Sequence, residues 1–145
     1  MSLNSLHVHL VFGTKDRQPV ITDTICPALH AYLGGIVREL HGKAVIINGT
    51  RDHVHMLATI PATLCVSDLL RVVKTNSSKW MNEHDVGFAW QKGYAAFTVS
   101  TSKMPAVVAY IKSQEEHHRT RSFEDELVAL LQRHGVAFDA THLWD

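Results

Sequence analysis

Two stretches of this chain, His7-Val8-His9-Leu10-Val11 and His53-Val54-His55-Met56-Leu57, set histidine and hydrophobic residues in alternation. A period of two belongs to the β-strand, where successive side chains point to opposite faces of a sheet. His7 and His9 therefore share a face, as do His53 and His55, while Val54 turns to the core. The pattern predicts a sheet with an apolar side and a polar side, with the histidines on the polar side. Two imidazoles on one face of a rigid strand can hold a divalent metal. The other reading is a pair of solvent-facing histidines on a half-exposed sheet.

The rest of the chain supplies partners for these strands. Residues 22–41 carry Ile25, Leu29, Tyr32, Leu33, Ile36, Val37 and Leu40 at steps of three and four, one apolar helical stripe. Thr22 or Asp23 can cap its start, and Gly42 stops it. Lys43 to Thr50 reads as a second strand, with Asn48-Gly49 as a turn dipeptide leading into the strand of His53 and His55 as a hairpin. That strand ends before Pro61. A second helix opens at Ser67 or Asp68 and carries Leu69, Leu70, Val72, Val73, Trp80 and Met81. Tyr94 to Ser100 forms a fourth strand. Ser102 can cap a third helix, with Pro105 in its first turn, running to about Thr120 on a stripe of Met104, Val107, Val108 and Ile111. A last helix runs from about Ser122 to Gly135 on Phe123, Leu127, Leu130 and Leu131. The order strand, helix, strand, strand, helix, strand is that of the split βαβ, ferredoxin-like α+β fold, an antiparallel sheet with helices on one face, here followed by two more helices. A single domain over residues 1–145 is expected. That fold hosts many functions and settles none.

Composition narrows the field only slightly. The formal net charge is zero, from 14 basic and 14 acidic residues, so a strong basic footprint for nucleic acid is absent. The 11 histidines are many for this length and would tip the surface positive if protonated. No apolar run is long enough for a transmembrane helix, and no signal peptide is evident. Cys26 and Cys65 have no motif spacing, which fits a reducing, cytoplasmic setting.

The third helix bears on the histidine pair. At about 100° per residue, Tyr110, Gln114 and His117 fall along one edge of it. Tyr110 is explained equally by a position at the border of core and solvent, and Gln114 by a place on the surface. A tyrosine hydroxyl is a poor nucleophile unless its site assists it, and a metal between His53 and His55 would polarise a phosphodiester. Gln114 would add a neutral oxygen ligand, and such a nitrogen and oxygen set suits Mg²⁺ or Mn²⁺.

His53-Val54-His55 on a strand, followed by Tyr110-Ile111-Lys112-Ser113-Gln114 on a helix, resembles the HUH single-tyrosine transposases, which include small insertion-sequence transposases and REP-associated tyrosine transposases. The resemblance extends over Val11–Arg17, Trp90–Ser100 and the block of Phe123, Glu124, Glu126 and Leu127. It implies metal-dependent cleavage and rejoining of single-stranded DNA through a 5′-phosphotyrosine. Tyr110 matches the nucleophile, His53 and His55 the metal pair, and Gln114 a further ligand. His7-Val8-His9 lies outside the motif, though His9 is placed for a supporting or DNA-contact role if the two histidine strands are neighbours. Tyr32 and Tyr94 are competing tyrosines.

The resemblance also implies a homodimer acting on single-stranded DNA with hairpin ends, and no membrane. Lys15 and Arg17 in the first loop, and Lys74, Ser77, Ser78 and Lys79 on the second helix, are candidates for phosphate contact. Two alternatives stand beside the transposase. One is a domesticated endonuclease acting on chromosomal repeat hairpins. The other is a ferredoxin-like nucleic-acid-binding module without catalysis.

Overall fold

The two histidine stretches become the central pair of a four-stranded antiparallel sheet. In the computed structural model, which describes residues 1–144, the strands are β1 (His7–Gly13), β2 (Lys43–Gly49), β3 (His53–Thr59) and β4 (Ala95–Thr98). Their spatial order is β2-β3-β1-β4. The helices are α1 (Cys26–Glu39), α2 (Val66–His84), α3 (Met104–Lys112), α4 (Gln114–His117) and α5 (Phe123–Arg133). The expected ferredoxin-like α+β order is therefore present.

Register decides which residues meet. Val11 pairs with His55, His9 with Leu57 and Gly13 with His53 across β1 and β3, so all the strand histidines lie on one face. The opposite residues, Leu10, Phe12, Val54, Met56 and Ala58, are buried against Leu29, Leu33 and Val37 of α1 and Leu69, Leu70 and Val73 of α2. These are the stripes the periodicity predicts, and they form the main apolar core. The C-terminal helices take the other face, where Phe123, Leu127, Leu130 and Leu131 of α5 pack on Val11, Ala95 and Phe97.

Three local expectations are corrected. The turn does not sit at Asn48-Gly49, which ends β2, with Asn48 paired to His55 and Gly49 to Val54. A Cβ on Gly49 would collide with the His53 carbonyl oxygen, so the glycine serves a close backbone approach. The third helix is not continuous to Thr120. It breaks at Ser113, and Gln114 opens the short α4. At the end of α1 the left-handed residue is His41 (φ 65°), and the Gly42 N–H bonds back to the Val37 carbonyl. Start positions also shift slightly. Cys26 opens α1, where Thr22 Oγ1 accepts from the Ile25 N–H one turn earlier.

Candidate active site

The histidine face is polar but not wet. His53 and His55 are fully buried, as is Gln114, which sequence reasoning left as a possible surface residue. The expectation of an exposed polar face fails because α3, α4 and α5 fold over it. Gly13, opposite His53, leaves room for this closure. A Cβ there would come within 2.6 Å of the Phe123 ring, which stacks on His53 at 4.1 Å between centroids.

One carboxylate gathers the site. Glu126, 1% exposed on the buried stripe of α5, accepts from His55 Nε2 at 2.9 Å, His118 Nε2 at 3.1 Å and Gln114 Nε2 at 3.0 Å. The histidines meet Oε1, while the Tyr110 hydroxyl donates to Oε2, the oxygen that Gln114 Nε2 also reaches. His53 Nε2 lies 3.4 Å from Glu126 and 3.0 Å from Gln114 Oε1. Behind the ring, His53 Nδ1 donates to Asp52 at 2.8 Å, which turns Nε2 toward the centre. His9 Nε2 and His55 Nδ1 share a hydrogen bond of 2.8 Å and do the same for His55. Asn48 Nδ2 donates to the carbonyls of Ile111 at 2.9 Å and Lys112 at 3.2 Å, fixing the end of α3 one residue after Tyr110.

The electrostatics follow from this packing. Burial opposes a charge on His53, but hydrogen bonds to Asp52 and Glu126 and the charge of Glu126 outweigh it and raise its pKa from 6.5 to about 9. Burial lowers His55, and burial with the neighbouring His55 lowers His9 to about 3, so both rings are neutral. Burial would raise Glu126, yet hydrogen bonds from His118, His53 and His55 hold it far below the usual carboxylate range. Burial and the adjoining Glu126 push the Tyr110 phenol up, so it keeps its proton.

The donor set fits a divalent cation. A ring nitrogen from each of His53 and His55 and a Glu126 oxygen lie within 4.8 Å of one another. Gln114 Oε1, 3.0 Å from His53 Nε2, stands beside them, so the residues that would hold a cation are His53, His55, Glu126 and Gln114.

The structure thus brings His53, His55, Tyr110 and Gln114 together and adds Glu126, Asp52, His118 and Asn48, to which sequence reasoning gave no role in the site. The signal for Glu126 was present: an acid at 126 interrupts the apolar stripe of 123, 127, 130 and 131. Among the competing tyrosines, Tyr32 stacks on Trp80 and Tyr94 lies under Lys74, and neither joins this network. The basic candidates fare unequally. Lys15 and Lys79 are exposed. Arg17 pairs with Glu124 at 2.9 Å and covers the Trp144 ring at 4.7 Å. Lys74 donates to the carbonyls of Gln91, Lys92 and Gly93, and burial lowers its pKa to about 8. Ser77 is buried between Val73 and Trp90, a structural position rather than a phosphate contact.

This arrangement has relatives. The family described as Transposase IS200 like matches residues 2–114, a span that contains both histidines, Tyr110 and Gln114. The chain belongs to the IS200-like transposase family. It is accordingly a transposase, an enzyme of DNA transposition. The ISDra2 transposase TnpA of Deinococcus radiodurans is 24% identical over 119 residues, covering 77% of this chain and 85% of that protein. A crystal structure from Deinococcus radiodurans assigned as a transposase matches with a TM-score of 0.64 and 25% identity, over 78% of this chain and 93% of that one. A REP-associated tyrosine transposase bound to a REP hairpin shares the fold, with a TM-score of 0.65 at 15% identity over 81% and 71%. Glu126 lies beyond the stretch matched to the family. Among the described residues no helix is long and apolar enough to cross a membrane.

Proposed function

We propose that this IS200-like transposase cleaves and rejoins single-stranded DNA through a 5′-phosphotyrosine on Tyr110, with a divalent metal held by His53, His55, Gln114 and Glu126. The observation that carries the reading is the convergence of the Tyr110 hydroxyl, two imidazoles and the Gln114 amide on one buried carboxylate. A binding module without catalysis has no use for that convergence.

When bound, the metal supplies Lewis-acid polarisation of the phosphodiester and charge stabilisation on its oxygens. The protein does the rest. Asp52 and His9 fix the ring orientations of His53 and His55, and Asn48 fixes the height of Tyr110 on α3. The Tyr110 oxygen attacks phosphorus, the bond from phosphorus to the 3′ oxygen breaks, and that oxygen leaves as a hydroxyl with a proton from solvent. Glu126 Oε2 accepts the phenol hydrogen bond and so orients the Tyr110 oxygen, and the phenol proton passes to solvent as the new bond forms. Reversal with a different 3′-hydroxyl reseals the backbone without an external energy source.

The substrate in this reading is single-stranded DNA beside a hairpin, as the hairpin bound by the REP-associated relative suggests, and the enzyme acts as a homodimer in the cytoplasm. Lys15, Arg17 and Lys79 are proposed to contact phosphates, with Lys74 contributing by fixing the loop of residues 91–93.

Incubation of purified protein with Mn²⁺ and a hairpin oligonucleotide is expected to give a covalent adduct that survives a denaturing gel. Tyr110→Phe should abolish the adduct and leave hairpin binding intact. An unchanged adduct in that variant would overturn the assignment of the nucleophile.

A further inference from the structure

A cleft of about 610 Å³ is lined by residues of β4, α3 and α5, Tyr110 among them. That volume lies within the roughly 300–1,000 Å³ range of small-molecule pockets. Its apolar lining includes Phe97, Val107 and Leu130, and the ring of Tyr110 contributes to it. Its polar lining includes Lys103 and Arg133, and none of the described residues around it is acidic. His134, also at the cleft, lies flat against Phe97 at 4.2 Å and 17° between planes. The larger cleft beside Asn48 and His118, by contrast, carries both signs of charge, with Asp23 and Glu115 alongside Arg51 and Lys112.

We infer that this cleft is a nucleotide subsite, which takes the base and sugar of one residue of single-stranded DNA adjoining the phosphate that Tyr110 attacks. The inference rests on the reading of Tyr110 as nucleophile. Three observations point to this occupant. A nucleobase needs an apolar, partly aromatic surface, which Tyr110 and the exposed His134, stacked on the buried Phe97, provide. A flanking phosphate needs cations without competing carboxylates, which Lys103 and Arg133 supply. The reacting hydroxyl must lie at one end of the bound nucleotide, and Tyr110 both lines the cleft and reaches Glu126. The subsite would place a chosen base next to the cut and so contributes to where the strand is opened.

The test compares two oligonucleotides: a hairpin alone, and the same hairpin extended by the single strand that carries the cleavage position. Binding is measured in the Tyr110→Phe background, so that no covalent product forms. The extension should raise affinity, and Lys103→Ala with Arg133→Ala should remove about tenfold of that gain and lower the salt-dependence slope by about 0.7 per cation. Ala106→Trp, an exposed position on the rim of the cleft, should remove the gain from the base while leaving the salt slope unchanged. An abasic residue at the flanking position should mimic Ala106→Trp. If the extended strand binds the variants as tightly as it binds the parent, the subsite is overturned, even where the protein with Tyr110 still forms the adduct. If that protein forms no adduct while these affinity losses appear, the nucleophile reading falls and the cleft stands as a DNA-binding site.

Discussion

Strand β3 has two faces that are equally buried and opposite in kind. Val54, Met56 and Ala58 enter a dry core under α1 and α2, while His53 and His55 enter a polar cluster under α3, α4 and α5. The dry face is held by apolar area, which is tolerant of detail as long as volume is conserved. The polar face is held by complementarity. Among the described residues every buried side-chain nitrogen and oxygen has a hydrogen-bond partner. Burying Glu126 beside imidazoles costs desolvation that these bonds only offset, so the cluster is weak evidence for stability and stronger evidence for use. The difference teaches that burial alone does not identify a core.

Substitutions at adjacent positions break the comparison most directly. His55→Gln should reduce adduct yield and metal affinity by at least about 100-fold, judged by denaturing gel and by metal-dependent melting. Met56→Ala, the next residue, should cost about 2–5 kcal/mol in denaturant unfolding and leave adduct formation intact well below its melting temperature. Equal loss of activity in both would erase the distinction between the faces.

A pH titration of the metal-free protein sharpens it. His53 has a folded pKa near 9 against 6.5, so its contribution is fully present below about pH 6.5 and is lost as pH rises through 9. The loss is on the order of 3 kcal/mol, seen as a falling melting temperature, and His53→Asn should flatten the curve. Met56→Ala should lower the same curve without changing its shape. Metal binding requires neutral His53, so it should release a proton near pH 7.5, detected by calorimetry in buffers of different ionisation enthalpy.

The smallest effect concerns the seam between the faces and the nucleophile. Asn48→Ala removes two hydrogen bonds to the end of α3 and should cost about 1 kcal/mol. Of the α3 residues only Ile111 is buried, so amide exchange should accelerate there and not in α1. Uniform acceleration across both helices would show that Asn48 holds the fold rather than the tyrosine.

Much of this was legible in one dimension. Period-two alternation in His7–Val11 and His53–Leu57 and the stripes of α1, α2 and α5 are local properties that neighbours in sequence decide. They determined the order of the elements and the shared face of the histidines. The candidacy of Tyr110 and Gln114 rested on their spacing along the third helix and on the resemblance to the HUH transposases. Asn48-Gly49 misled because a turn dipeptide and a close strand crossing both ask for glycine, and only the pairing of Gly49 with Val54 separates them.

The tertiary structure alone decided that the histidine face is closed and that Glu126 stands at its centre. The acid at 126 breaks an apolar stripe in the sequence, but nothing along the chain says that three imidazoles meet it there. Its burial depends on α5 crossing β1 and β3, which are far away in the chain. The sequence by itself determined which residues were available for chemistry. Folding brought them within hydrogen-bond distance, because such distances are set by the packing of one layer on another and not by position along the chain.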